Sequence, residues 1–136
     1  MHHVVCGALV RAGQVLLGHR SPSRRWYPNV WDLPGGHVEN GESEPQALAR
    51  EMQEELGVLI LEHDPGPVRR FHVPGDEQSS GLQLSVWRVR QWRGDPVNQC
   101  PDEHDEMGWF AADDLDALAL AHPSYHELLR TLLSEQ

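Results

Sequence analysis

The chain has 136 residues, a mass of 15.4 kDa, a net charge of −10 and a mean hydropathy of −0.54. That length supports one compact domain over residues 1–136 and leaves little room for a second. All eleven basic residues are arginine, which excludes a P-loop nucleotide site and Schiff-base lysine chemistry, and the acidic excess argues against a nucleic-acid polymer as partner. A phosphate-bearing ligand would have to be neutralised by metal ions or by a few local arginines.

In chain order, two apolar runs over 3–10 and 14–20 meet at Arg11-Ala12-Gly13 and read as a β-hairpin. The first run, Val4 to Val10, is too short for the roughly 18 to 20 residues of a membrane span, and no basic stretch precedes it as in a signal peptide. The expectation is therefore a cytoplasmic protein that does not meet a membrane. A polar loop follows from Ser21 to Pro28, and Trp31-Asp32-Leu33-Pro34 forms a short strand leading into Gly35-Gly36. Residues 44–56 are the clearest helix. Two further strands are predicted over 58–73, broken near Pro65 to Pro67, and over 82–92, with one more short strand at Trp109-Phe110. Tyr125, Leu128, Leu129, Leu132 and Leu133 recur at helical spacing, so a last helix is expected over 122–134. Strands and helices that do not strictly alternate imply helices packed on a mixed sheet, an α/β fold. Cys6 and Cys100 belong to no metal-spaced pair and read as two reduced thiols.

The central helix carries the chemistry. Ser43 stands three residues before Gln46 as in a capping box, Pro45 is tolerated in the first turn, and Gly57 suits a left-handed stop. Leu48, Ala49, Met52 and Leu56 share one side and are expected to face the core. Glu51, Glu54 and Glu55, at i, i+3 and i+4, place their carboxylates on an adjacent strip about 120° from the apolar centre, with Glu55 nearest the core border. Three converging carboxylates in a chain without lysine call for a cation, and an oxygen-liganded hard ion such as magnesium is the natural one.

From Gly36 to Val58 the chain reads Gly36, five residues, Glu42, seven residues, then Arg50-Glu51-Met52-Gln53-Glu54-Glu55-Leu56-Gly57-Val58. This resembles, at every defined position, the signature of the Nudix hydrolases, G-x5-E-x7-R-E-U-x-E-E-x-G-U with U apolar. The approach Trp31-Asp32-Leu33-Pro34-Gly35-Gly36-His37-Val38-Glu39 and the stretch Asp105-Glu106-Met107-Gly108-Trp109-Phe110 are similar to MutT-like members. The resemblance implies an α/β/α sandwich on a central mixed sheet, with a single Nudix domain over 1–136 and its box at 36–58. It also implies hydrolysis of a nucleoside diphosphate derivative by water attack on phosphorus, assisted by Mg2+ or Mn2+.

By position in that pattern, Glu51, Glu54 and Glu55 correspond to metal-binding and catalytic glutamates, and the backbone carbonyl of Gly35 to a further ligand. Gly36, Glu42 and Arg50 correspond to support of the site, with Arg50 paired to Glu42. Glu106 is similar to the glutamate that members place opposite the helix as base or extra ligand, and Glu103 competes for that role. Arg20, Arg24 and Arg25 offer phosphate contacts, Trp26 and Tyr27 stacking faces, and Asn98 a base-reading amide. None of the nine histidines is assigned a function; His2 and His3 read as strand-start residues.

The MutT-like pattern implies a nucleoside triphosphate or an oxidised one such as 8-oxo-dGTP, cleaved to monophosphate and pyrophosphate. Ala121-His122-Pro123-Ser124-Tyr125 lacks the acidic pair of some purine-selective relatives. Pro74, sixteen residues beyond Val58, gives an alternative, an ADP-ribose or other NDP-sugar pyrophosphatase. A second alternative is a nucleotide-sensing Nudix module without catalysis. The expected partner is a small nucleotide, and the protein a monomer or homodimer.

Overall fold

The computed structural model describes residues 2–78 and 80–135. Its elements are strands β1 (His2–Arg11), β2 (Gln14–Arg20), β3 (Trp31–Asp32) and β4 (Gly35–His37), then helix α1 (Glu44–Leu56). Strands β5 (Leu59–His63), β6 (Arg69–Val73), β7 (Leu82–Arg93) and β8 (His104–Ala111) follow, then a 3-10 turn (Ala112–Ala117) and helix α2 (Tyr125–Ser134). These fall into two compact units, the first from Met1–Ala8 and Pro34–Val97, the second from Leu9–Leu33 and Asn98–Gln136.

In the first unit, β4 runs antiparallel to the start of β1, with Val4, Val5 and Cys6 opposite His37, Gly36 and Gly35. Strand β7 lies beside β1, and β6 and β5 pair antiparallel with successive halves of β7. The helix α1 is set by its ends. Ser43 Oγ accepts from the Gln46 N–H while Gln46 Oε1 accepts from the Ser43 N–H, and Gly57 closes the last turn at φ 69°. Its buried apolar residues are Ala47, Leu48, Met52 and Leu56; each large one contributes about 1.5–3 kcal/mol of burial.

This face corrects the expectation from the sequence. Ala49 is exposed and Ala47 buried, so the buried side of α1 is rotated towards the glutamates. Glu55 is only 3% exposed; it belongs to the buried side of the helix, not to its border. Alanine carries too little apolar surface to fix the rotation of a helix, which is why periodicity alone misassigned it.

In the second unit, β2 pairs with the end of β1 through a turn in which Ala12 and Gly13 take φ of 52° and 76°. Two successive left-handed residues match the right-handed twist of a tight hairpin. Along its length β2 also pairs with β8, and its end with β3. Strand β8 is much longer than the two-residue strand read at Trp109-Phe110, because the polar Asp105 and Glu106 are carried by backbone pairing to β2. The 3-10 turn has no counterpart in the sequence reading, and α2 starts at Tyr125, three residues later than expected. The turn buries Leu115, and α2 buries Tyr125, Leu128, Leu129 and Leu132. Cys6 is buried and Cys100 half-buried, and neither forms a disulfide. No helix among the described residues is long and apolar enough to cross a membrane.

Candidate active site

Residues 36–58 contain six glutamates and one arginine, so half of the net charge of the chain sits in 23 residues. Arg50 organises them. Its Nε and Nη2 donate to the two oxygens of Glu42 at 2.8 and 2.9 Å, and Nη2 also donates to the His37 carbonyl at 2.9 Å. Nη1 donates to Glu51 Oε1 at 2.8 Å and to Glu54 Oε2 at 3.3 Å. The planar guanidinium, with donors on every edge, is the side chain that can do this. It ties the loop before α1 to the helix and lies between two of the three strip carboxylates. The hydrogen bonds hold the Glu42 carboxyl down at about 2 and push the Arg50 guanidinium further up.

Glu51 stands at the centre of the strip. Burial pushes its carboxyl above the usual range; Arg50 and a hydrogen bond with Glu55 pull it back, and the Glu54 charge adds to the rise. The carboxylate lies against β4. A Cβ on Gly36 would come within 2.4 Å of Glu51 Oε1, and one on Gly35 within 2.1 Å of the Val5 carbonyl. The Gly-Gly pair is therefore required by close approach, of a carboxylate at Gly36 and of a neighbouring strand at Gly35. Glu54 is the open member of the strip, its side chain 57% exposed. Three glutamate carboxylates on one helix form an all-oxygen donor set, which fits a hard divalent cation and would not suit a thiophilic one.

The first turn of α1 is fastened separately. Glu44 accepts from His3 Nε2 at 2.6 Å, Ser85 Oγ at 2.9 Å and Trp87 Nε1 at 2.9 Å, with Arg70 at 3.7 Å. Burial pushes this carboxyl up, and the hydrogen bonds with the Arg70 charge outweigh it, so it stays below the usual range. His3 therefore has a duty beyond starting a strand.

The remaining sequence candidates lie in the second unit. Glu106 is exposed on β8, its backbone opposite His19 of β2. Glu103 is exposed just before β8, and its carbonyl accepts from the Ser21 N–H at 3.1 Å and from Arg24 at 3.5 Å. Trp26 and Tyr27 present exposed ring surface, with the Arg25 guanidinium 4.9 Å over the Trp26 ring. Arg20 differs from the role read for it. Its Nε and Nη2 donate to the carbonyls of Trp26 and Tyr27, and its Nη1 lies 3.7 Å from Asp32. The Asn98 amide is likewise engaged, donating to the His104 carbonyl at 2.6 Å and accepting from the Cys100 N–H at 3.1 Å. It staples a loop and is not presented to a base.

Three residues of this unit escaped the sequence reading. Asp32 is buried; burial pushes its carboxyl up against the pull of Arg20, His122 and a hydrogen bond with Tyr125. The His122 ring sits 4.9 Å from Tyr27 and 5.1 Å from Tyr125, and burial and Arg20 push its imidazole down. Burial, with Arg24 and Arg20, pushes the His104 imidazole down to about 4. The only signal available for Asp32 was a charge inside an otherwise apolar strand. For the two histidines nothing in the spacing distinguished them from solvated ones.

The carboxylates on α1 can hold a cation and accept a proton. The Nudix domain family matches residues 1–132. The chain is 30% identical over 125 residues to CTP pyrophosphohydrolase of Escherichia coli, covering 90% of this chain and 82% of that protein. It is 35% identical over 113 residues to the putative 8-oxo-dGTP diphosphatase 2 of Mycobacterium tuberculosis, covering 82% and 74%. Its fold is similar to the crystal structure of a MutT Nudix hydrolase from Burkholderia pseudomallei, with TM-score 0.74, 29% identity and coverage of 82% and 84%. That likeness bears out the mixed sheet with flanking helices, and with the intact carboxylate strip of α1 it places this chain in the Nudix family of pyrophosphohydrolases.

Proposed function

We propose that this protein hydrolyses a nucleoside triphosphate, or an oxidised one such as 8-oxo-dGTP, to the monophosphate and pyrophosphate with Mg2+, Mn2+ being a possible substitute. The observation that carries the reading is the Glu51–Glu54–Glu55 strip, set on a helix fastened at both ends and faced by the Gly35-Gly36 backbone. The names of the relatives, a CTP pyrophosphohydrolase and a putative 8-oxo-dGTP diphosphatase, support triphosphates as the substrate class. The family match over 1–132 supports the whole chain acting as one Nudix domain.

In this reading Glu51, Glu54, Glu55 and the Gly35 carbonyl hold the metal. When bound, the ion neutralises the phosphate chain and lowers the pKa of water. Arg50 holds Glu51 and Glu54 at fixed separation, and through Glu42 and the His37 carbonyl it keeps the loop against the helix. Water oxygen attacks phosphorus, the anhydride P–O bond breaks, and the proton of the water passes to a carboxylate among Glu51, Glu54 and Glu106. Pyrophosphate leaves with the bonding electron pair. Arg24 and Arg25 meet the phosphates, and Trp26 and Tyr27 stack on the base. The substrate is a small nucleotide met in the cytoplasm, and the enzyme works as a monomer or homodimer.

The test is a product-resolved panel with Mg2+: the eight natural nucleoside triphosphates, 8-oxo-dGTP, ADP-ribose and diadenosine polyphosphates, beside Glu54→Gln. Triphosphates should give monophosphate plus pyrophosphate, with turnover in the variant reduced on the order of a thousandfold. Cleavage of ADP-ribose alone would overturn the substrate class and leave the chemistry. Tight nucleotide binding with no turnover of any compound would instead make the protein a sensor.

A further inference from the structure

We propose that Arg20 is a positioning residue that holds the 21–30 loop in a strained shape and so sets the aromatic rim formed by Trp26 and Tyr27. This rests on the nucleotide reading above and concerns how the base is met.

The strain is local and visible. Tyr27 and Asn29 both have left-handed backbones, φ 49° and 60°, without being glycine. Such a conformation costs about 1 kcal/mol or more for a residue with a large side chain, and it persists only where the surroundings over-determine it. The His122 ring packs on Tyr27, and Arg20 hydrogen-bonds with Trp26, Tyr27, Asn29 and Val30. The Arg20 guanidinium donates from Nε to the carbonyls of Trp26 and Tyr27 at 3.1 and 3.0 Å, and from Nη2 to Trp26 again at 2.8 Å. Its backbone closes the same loop, the N–H donating to Val30 O at 2.8 Å and the carbonyl accepting from the Asn29 N–H at 3.0 Å. The side chain is 13% exposed and seated against the buried Asp32.

The result is a loop gripped by its carbonyls, which leaves its side chains outward. Trp26 and Tyr27 are each 38% exposed, large aromatic surface that a collapsing loop would hide. Nε and Nη2 of Arg20 are engaged with main-chain oxygens and Nη1 lies beside Asp32, so its influence on a ligand runs through the shape of the loop. A fork is required for this, since one ammonium cannot span two adjacent carbonyls and a carboxylate from the same stem. Preorganising the two rings lowers the ordering cost of stacking a base on them, which appears in binding and not in the chemical step.

The test compares Arg20→Ala and Arg20→Lys with the wild-type protein in steady-state kinetics on the preferred triphosphate, alongside limited trypsin digestion read by mass spectrometry at Arg24 and Arg25. Both variants should raise KM about tenfold with kcat changed less than about threefold, and cleavage after Arg24 and Arg25 should accelerate about tenfold. A wild-type KM in Arg20→Lys would make the residue a simple charge and overturn the proposal. So would an opened loop with unchanged KM, or cleavage at the wild-type rate. If neither variant folds, Asn29→Gly loosens the loop with Arg20 intact and should raise KM severalfold; an unchanged KM overturns the proposal. A wild-type protein that turns over no nucleotide strikes the proposed function, whereas wild-type turnover with an unaffected KM in the variants strikes this inference alone.

Discussion

Arginine does opposite work in the two units. In the first, Arg50 faces carboxylates: its five hydrogen bonds reach Glu42, Glu51, Glu54 and one carbonyl. In the second, the Arg20 guanidinium donates to main-chain carbonyls beside a single buried carboxylate, Asp32. The same guanidinium fork organises charge in one place and backbone shape in the other. What decides is the neighbourhood. A regular helix puts the carboxylates next to Arg50 by its periodicity, while an irregular loop folds its own carbonyls around Arg20.

Arg50→Met removes the guanidinium from among the carboxylates. It keeps an unbranched apolar stem, shorter than that of arginine, and removes all five bonds, leaving the largely buried Glu51 carboxylate without its cation. A loss of about 3 kcal/mol in urea denaturation is expected. A loss under about 1 kcal/mol would mean that the carboxylates are relieved by solvent and that Arg50 does not organise the strip.

A second measurement concerns the other unit, where buried imidazoles stay neutral. The folded pKa of His104 is about 4 against 6.5 for the free side chain. Between those values the unfolded chain binds the extra proton, so stability is complete above pH 6.5 and is lost as pH falls towards 4. Between pH 7 and pH 5 the His104 contribution falls by about 2 kcal/mol. His122, shifted the same way, adds in the same direction. The Glu42 effect comes at lower pH: its depressed carboxyl stabilises above about 4.5 and that stability is lost as pH falls through about 2. Thermal melts of the wild type and His104→Gln at pH 7 and pH 5 check the assignment. Parallel slopes in the two proteins would remove it.

The smallest expected effect is Ser43→Ala. It deletes one half of the capping box and should cost about 1 kcal/mol, while Gln46 keeps its bond to the residue 43 N–H. Because Glu44 holds the same turn through His3, Ser85 and Trp87, turnover should change far less than stability. An equal loss of both would show that the cap, and not Glu44, sets the position of the strip.

Most of the first unit was legible in the amino-acid order. The bounds of α1, its capping box, its glycine stop and its carboxylate strip are all local, since each depends on residues within four positions of one another. Their readout failed only at Ala47 and Ala49, where a small side chain left the helix rotation undecided. The second unit was less legible. Strand β8 extends through acidic residues because β2 supplies the hydrogen bonds, and the duties of Asn98 and Arg20 depend on carbonyls whose directions no periodicity announces.

The bounds of α1 and the placing of Glu51, Glu54 and Glu55 on one strip were already contained in residue order, because a fixed spacing on a 3.6-residue turn converts order directly into geometry. Tertiary structure alone decided that Glu55 is buried and that Glu44 is fastened to residues 41 and 43 positions away. It also decided that Asp32 meets His122 across 90 residues of chain, and that Arg20 turns inward to its own loop. The physical reason is common to all of these. Burial and hydrogen-bond partners are set by packing between distant segments, and a side chain's charge and reach do not say which of several acceptors the fold will bring to it.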